Sequence, residues 1–87
     1  MSRDYQDPEY KKWRQRIRER DKATCQFPGC DKKRAIEAHH ILRWQDYPGL
    51  RYNDLNGICL CKQHHKMVTG NEDHYIKVLG DIVRRKL

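Results

Sequence analysis

The chain has 87 residues, of which 37% are hydrophobic and 36% charged, with nineteen Lys and Arg against twelve Asp and Glu. That length supports one small domain whose limited apolar material calls for an external staple, and it excludes a large self-sufficient core. A formal charge of +7 suits a polyanion such as nucleic acid better than an acidic protein surface or a neutral metabolite, although charge alone also serves solubility.

No apolar run approaches the roughly 18 residues of a membrane span, and Met1-Ser2-Arg3-Asp4-Tyr5 lacks the apolar core of a secretory signal. A protein of the intracellular, cytoplasmic space is expected, with no membrane partner. In such a reducing compartment the four cysteines point to a metal rather than to two disulfides, and zinc is the leading candidate.

Residues 1–7 read as a polar lead-in, and residues 8–87 as a single domain. Asp7-Pro8-Glu9 supplies an N-cap, a proline at the first helical position and an acid in the first turn, which predicts a helix from Pro8 to about Asp21. Tyr10, Trp13 and Ile17 recur at i, i+3 and i+7, leaving Lys11, Lys12, Arg14 and Arg18 on the other faces. That basic exterior is either a solvated face or a surface for DNA phosphates, and the sequence does not separate the two.

Cys25 and Cys30 enclose Gln26-Phe27-Pro28-Gly29, whose Pro-Gly turn lets two thiolates fold back on one point. Residues 35–41 and the run Gly57-Ile58-Cys59-Leu60 are β-compatible and predict a two-stranded hairpin. Between them, residues 42–56 form a long loop carrying Trp44, Tyr47, Pro48-Gly49 and Tyr52, an aromatic content that favours order. A short helix is predicted over residues 62–68. Thr69-Gly70-Asn71-Glu72 then has the spacing of a capping box, so a last helix should start near Gly70. Tyr75, Ile76, Leu79, Ile82 and Val83 form its apolar stripe and pack it on the core.

Four of the five histidines occur as adjacent pairs, His39-His40 and His64-His65. A structural zinc site wants four Cys or His ligands, and Cys25, Cys30, Cys61 and His64 provide them as two knuckles from separated parts of the chain. Cys59 is read as a core residue, with an exchange for His64 left open. Once His64 is assigned, His39, His40, Asn56 and His65 remain as a polar functional group.

The run Ala38-His39-His40-Ile41, followed by Asn56-Gly57-Ile58-Cys59-Leu60-Cys61-Lys62-Gln63-His64-His65, closely resembles the HNH endonuclease family, particularly its small phage and prophage type. The likeness extends back through the Cys25 to Cys30 knuckle and residues 13–21, and forward to Thr69. It implies an α+β fold: a small zinc-stapled ββα-metal (His-Me finger) domain, core about residues 35–69, with flanking N- and C-terminal helices. It also implies His39 and His65 as ligands of a catalytic divalent cation (Mg2+, Mn2+, Ni2+ or Zn2+), His40 as general base, and Asn56 as the residue fixing the loop around that base. Adjacent strand residues point to opposite sides, so His39 can face an ion while His40 faces the attacking water. A neutral imidazole, with an ordinary pKa of about 6.5, accepts that proton near neutral pH.

The chain departs from the common family pattern in its histidine, His64, at the last zinc position and in four rather than two residues inside the first knuckle. Where some relatives carry a further metal ligand, this chain has Thr69, read as a helix cap. Glu37 is read as strand surface, Glu72 as part of the capping box and His74 as decoration of the outer helix. The expected activity is hydrolysis of DNA, double-stranded in the first instance, to 3′-hydroxyl and 5′-phosphate ends. A non-catalytic zinc-finger-like module that binds nucleic acid is the alternative. A place in phage DNA packaging beside the terminase is a third reading, compatible with cleavage.

Overall fold

A computed structural model describes residues 7–43 and 45–86; most of the polar lead-in, and Trp44 in the long loop, lie outside the described residues. The first helix, α1, spans Pro8–Arg20. The Asp7 carboxylate accepts the Glu9 N–H at 2.9 Å and Pro8 occupies the first turn, as the capping signal predicts. The helix stops where Lys22 and Ala23 take positive φ (56° and 49°), so that the Ala23 N–H reaches back to the Arg18 carbonyl at 2.8 Å.

Two strands follow, β1 (Ile36–His40) and β2 (Gly57–Cys61), paired antiparallel from Ile36 opposite Cys61 to His40 opposite Gly57. The first is shorter than residues 35–41. Ala35 sits at φ 52°, a left-handed conformation that a strand cannot contain. The alternation of the pleat puts residues 36, 38 and 40 on one face with 57, 59 and 61, and residues 37 and 39 on the other with 58 and 60.

Helix α1 lies directly against the first of these faces. A Cβ on Gly57 would come within 2.5 Å of Trp13 Cζ2 and 2.7 Å of Ile17, so only glycine allows the approach. Trp13 and Ile17 are fully buried there with Cys59, and Ile58 and Leu60 are fully buried on the opposite face.

Helix α2 (Lys62–Val68) starts as β2 ends, and α3 (Glu72–Arg84) closes the fold. The expected capping box is not what joins them. The Thr69 hydroxyl donates back to the His65 carbonyl at 2.7 Å, so it closes α2 rather than opening α3. Gly70, at φ 86°, then turns the chain, and its N–H donates to the Glu72 carboxylate at 2.7 Å. The last helix therefore begins two residues later than its sequence signal, with Asn71 at the N-cap. Leu79 and Val83 of α3 are buried in the core, with Tyr75, Ile76 and Ile82 packed against it, each buried aliphatic side chain contributing about 1.5–3 kcal/mol.

Asp21, whose side chain has no exposure, ties three segments together. Its carboxylate accepts from Arg20 at 2.9 and 3.0 Å and from the Cys59 N–H at 2.9 Å, and Lys86 beyond α3 approaches it at 3.6 Å. A buried carboxylate held this way costs little only because every partner is present.

Candidate functional site

Residues 42–56 contain two short 3₁₀ turns, Pro48–Leu50 and Asp54–Asn56, and α1 holds the second of them. The Trp13 indole N–H donates to the Asn53 carbonyl at 3.0 Å. Arg16 pairs with Asp54 at 2.8 Å and donates to the Tyr52 carbonyl at 3.2 Å, while Arg20 donates to the Asp54 and Gly57 carbonyls at 2.7 and 2.6 Å. Part of the basic exterior of α1 is thus turned onto the loop.

Asn56 is buried and fastens the other side of the same loop. Its Oδ1 accepts the Leu42 N–H at 2.6 Å, and its Nδ2 donates to the Leu42 and Leu50 carbonyls at 3.3 and 3.0 Å. One amide side chain therefore satisfies backbone groups at both ends of the segment it spans.

His40 projects from β1 towards α1. Its ring stacks on Trp13, centroids 4.1 Å apart at 11°, and its Nε2 lies 2.8 Å from the Arg51 carbonyl oxygen. A carbonyl only accepts, so Nε2 is the protonated nitrogen and Nδ1 carries the lone pair. The loop that Asn56 and α1 hold in shape is the loop that sets the tautomer of His40.

His39 projects to the opposite face of the hairpin and meets His65 of α2, ring centroids 5.3 Å apart and nearly perpendicular at 83°. The His65 Nδ1 lies 3.1 Å from the Glu37 carboxylate, which acts as acceptor and leaves Nε2 as the lone-pair nitrogen. Glu37 was expected at the strand surface; it is exposed, yet it orients this ring. Its signal in the sequence was parity, since Glu37 and His39 lie on one face of one strand. The Arg51 carbonyl has no such signal, being backbone.

The ligand atoms of Cys25, Cys30, Cys61 and His64 all lie within 4.8 Å of one another, the one group of three or more such residues found among the described residues. His64 Nδ1 is 3.5 Å from the Cys25 sulfur and 3.3 Å from the Cys61 sulfur. Phe27 stacks on the His64 ring at 4.3 Å and 5°, and the Cys30 N–H closes the knuckle on the Phe27 carbonyl at 2.9 Å. Soft sulfur plus one imidazole nitrogen is a donor set that fits zinc, so the cluster could hold a structural metal.

Burial pushes the Cys25 thiol up to about 11. Burial acts on Cys61 in the same sense, but the backbone N–H of His64 and the neighbouring Cys25 and Cys30 sulfurs draw its thiol below the ordinary value. Cys59 stands apart: its sulfur donates to the Ile17 carbonyl at 3.7 Å, and burial, with the charge of Asp21, pushes its thiol up to about 12.

Paired imidazoles on a strand and a helix lie beside a closed Cys and His cluster in a small mixed α+β fold, a compact protein whose cluster could hold a metal. The family model described as HNH endonuclease matches residues 25–68, about half of the chain. The chain belongs to the HNH endonuclease family, and its strand, strand and helix fit the ββα-metal fold. No curated protein and no solved structure gives a significant match. Family membership carries a nuclease-type function and a nucleic-acid substrate, and among the described residues no helix is long and apolar enough to cross a membrane.

Proposed function

We propose that this protein is a divalent-metal-dependent DNA endonuclease, with residues 8–87 acting as one nuclease domain. The observation that carries the reading is the meeting of His39 and His65 on one face of the hairpin, while His40 is held on the other by the Trp13 ring and the Arg51 carbonyl. His39 and His65 would hold the catalytic cation. When bound, that cation supplies charge neutralisation at the phosphoryl oxygens and the leaving oxygen.

The chain's own residues do the rest. Neutral His40 accepts a proton at Nδ1 from a water, whose oxygen forms a bond to phosphorus as the bond to the 3′ oxygen breaks. The leaving oxygen takes a proton from solvent, giving a 3′-hydroxyl and a 5′-phosphate. Trp13 fixes the plane of the His40 ring, and the Arg51 carbonyl, carried by the loop that Asn56 fastens, fixes its tautomer. Glu37 holds His65 in the tautomer that presents Nε2, an outer partner that raises ligand basicity. Cys25, Cys30, Cys61 and His64 would hold a structural zinc, clamping the turn after α1 to the start of α2.

A supercoiled plasmid incubated with Mg2+, Mn2+, Ni2+ or Zn2+ tests this. Conversion to nicked or linear forms with at least one of these ions, suppressed by chelator, is the expected result. A protein that binds DNA but leaves the plasmid intact with every ion is instead the zinc-finger-like binding module.

A further inference from the structure

Two grooves meet at Arg14 and Arg18, and one of them reaches His65. The smaller, about 220 Å³, runs along β1 between α1 and α2 and is lined by Tyr10, Arg14, Arg18, Glu37, Ala38 and His65, among others. The larger, about 550 Å³, runs on along the outer face of α1 past Lys11, Arg14, Arg18 and Lys22. Arg14 and Arg18 line both, so the two form a continuous channel that begins at a proposed catalytic histidine.

The charges along it are not consumed by the fold. Among the described residues no carboxylate pairs with Lys11, Arg14 or Lys22, in contrast to Arg16 and Arg20, which serve the long loop and Asp21. Arg18 gives one N–H to the Ile36 carbonyl at 3.1 Å, and Arg14 lies 6.0 Å from the centre of the Tyr10 ring. Two acids line the channel, and both have partners: Glu19 accepts from Gln15 at 3.0 Å and Glu37 is held by His65. The balance is four cations against two engaged carboxylates, in a concave surface that concentrates the field.

We propose that this channel carries the backbone of the cleaved strand away from the active site along α1, with Arg14 at the phosphate nearest the scissile bond and Lys11 and Lys22 on those beyond it. The inference rests on the nuclease reading for its direction but not for its measurement. A third groove, lined by Lys32, Arg34, Lys62 and Lys66 with no carboxylate, is more basic still, but neither His39, His40 nor His65 lines it. It supplies the control.

The test is duplex binding by the non-cleaving His40→Ala protein, isolated with its own zinc and measured over a salt series. Arg14→Gln and the pair Lys11→Gln with Lys22→Gln should each weaken binding about threefold per residue and flatten the slope of log affinity against log salt by about 0.9 per lost phosphate contact. Arg14→Lys, which keeps the charge, should restore the slope. In the cleaving protein Arg14→Gln should raise KM more than it lowers kcat. If the slope follows α1 but the parent protein cuts nothing, the channel stands and the nuclease reading falls. If the protein cuts yet the α1 variants keep the full slope while Lys32→Gln with Lys66→Gln lowers it, the channel assignment is overturned.

Discussion

His64 and His65 are neighbours on one turn of α2, yet the two regions they enter are built to opposite designs. His64 turns into a cluster of three sulfurs, stacked under Phe27, where four ligand atoms already converge within 4.8 Å. His65 is rotated by the roughly 100° per residue of a helix towards His39 and a groove that it helps to line, where Glu37 holds one ring nitrogen. The difference teaches how 87 residues accommodate both demands. The closed cluster could hold a structural metal, and the imidazole pair beside it faces a groove.

The largest effect that would break this contrast is expected at the closed site. Cys25→Ser should abolish zinc retention and the cooperative melting transition, since structural zinc in small fingers is worth about 10 kcal/mol or more; metal analysis and a circular dichroism melt report both. The pH dependence has a definite sign. With the Cys25 thiol pushed up to about 11, zinc must displace its proton at neutral pH, so affinity rises with pH and the metal is released on acidification. A zinc affinity that is flat from pH 6 to pH 8, roughly the working range of imidazole, would contradict the thiolate set.

At the open site His40→Ala should lower the cleavage rate by about 10²–10⁴-fold while the zinc content stays that of the parent. Plasmid cleavage kinetics and metal analysis on the same preparation separate the two. Glu37→Ala is a smaller perturbation, expected to weaken binding of the activating cation by about 10–100-fold. Glu37→Gln, which keeps an acceptor for the His65 Nδ1–H, should recover most of that loss, and the nitrogen chemical shifts of His65 should show the same tautomer. The smallest effect is Cys59→Ala, at about 1 kcal/mol for a partly collapsed cavity, with zinc retained. Loss of zinc in that variant would move Cys59 into the ligand set in place of His64.

Much of this arrangement was legible because local signals and tertiary needs agreed. Asp7 and Pro8 announced α1, the β-compatible run of residues 35–41 announced β1, and the 61-to-64 spacing announced the knuckle that the four ligand atoms form. Where they disagreed, the sequence misled. Thr69 and Glu72 have capping-box spacing, but the turn at Gly70 separates them, and each serves the segment before its helix. Other features have no side-chain code at all: the Arg51 carbonyl that fixes His40 is backbone, and the division of α1 arginines between loop and groove depends on where the loop returns in space. Trp13 reads as core, and is core, but within the core its ring also stacks on that of His40.

The central claim is that the two sites are separable, and the double variant His39→Ala with His65→Ala tests it most directly, by zinc content set against plasmid cleavage in one protein. The account predicts one tightly held zinc per chain, a melting transition close to that of the parent, and no cleavage with any divalent ion. A variant that lost its zinc, or that still cut the plasmid, would contradict it.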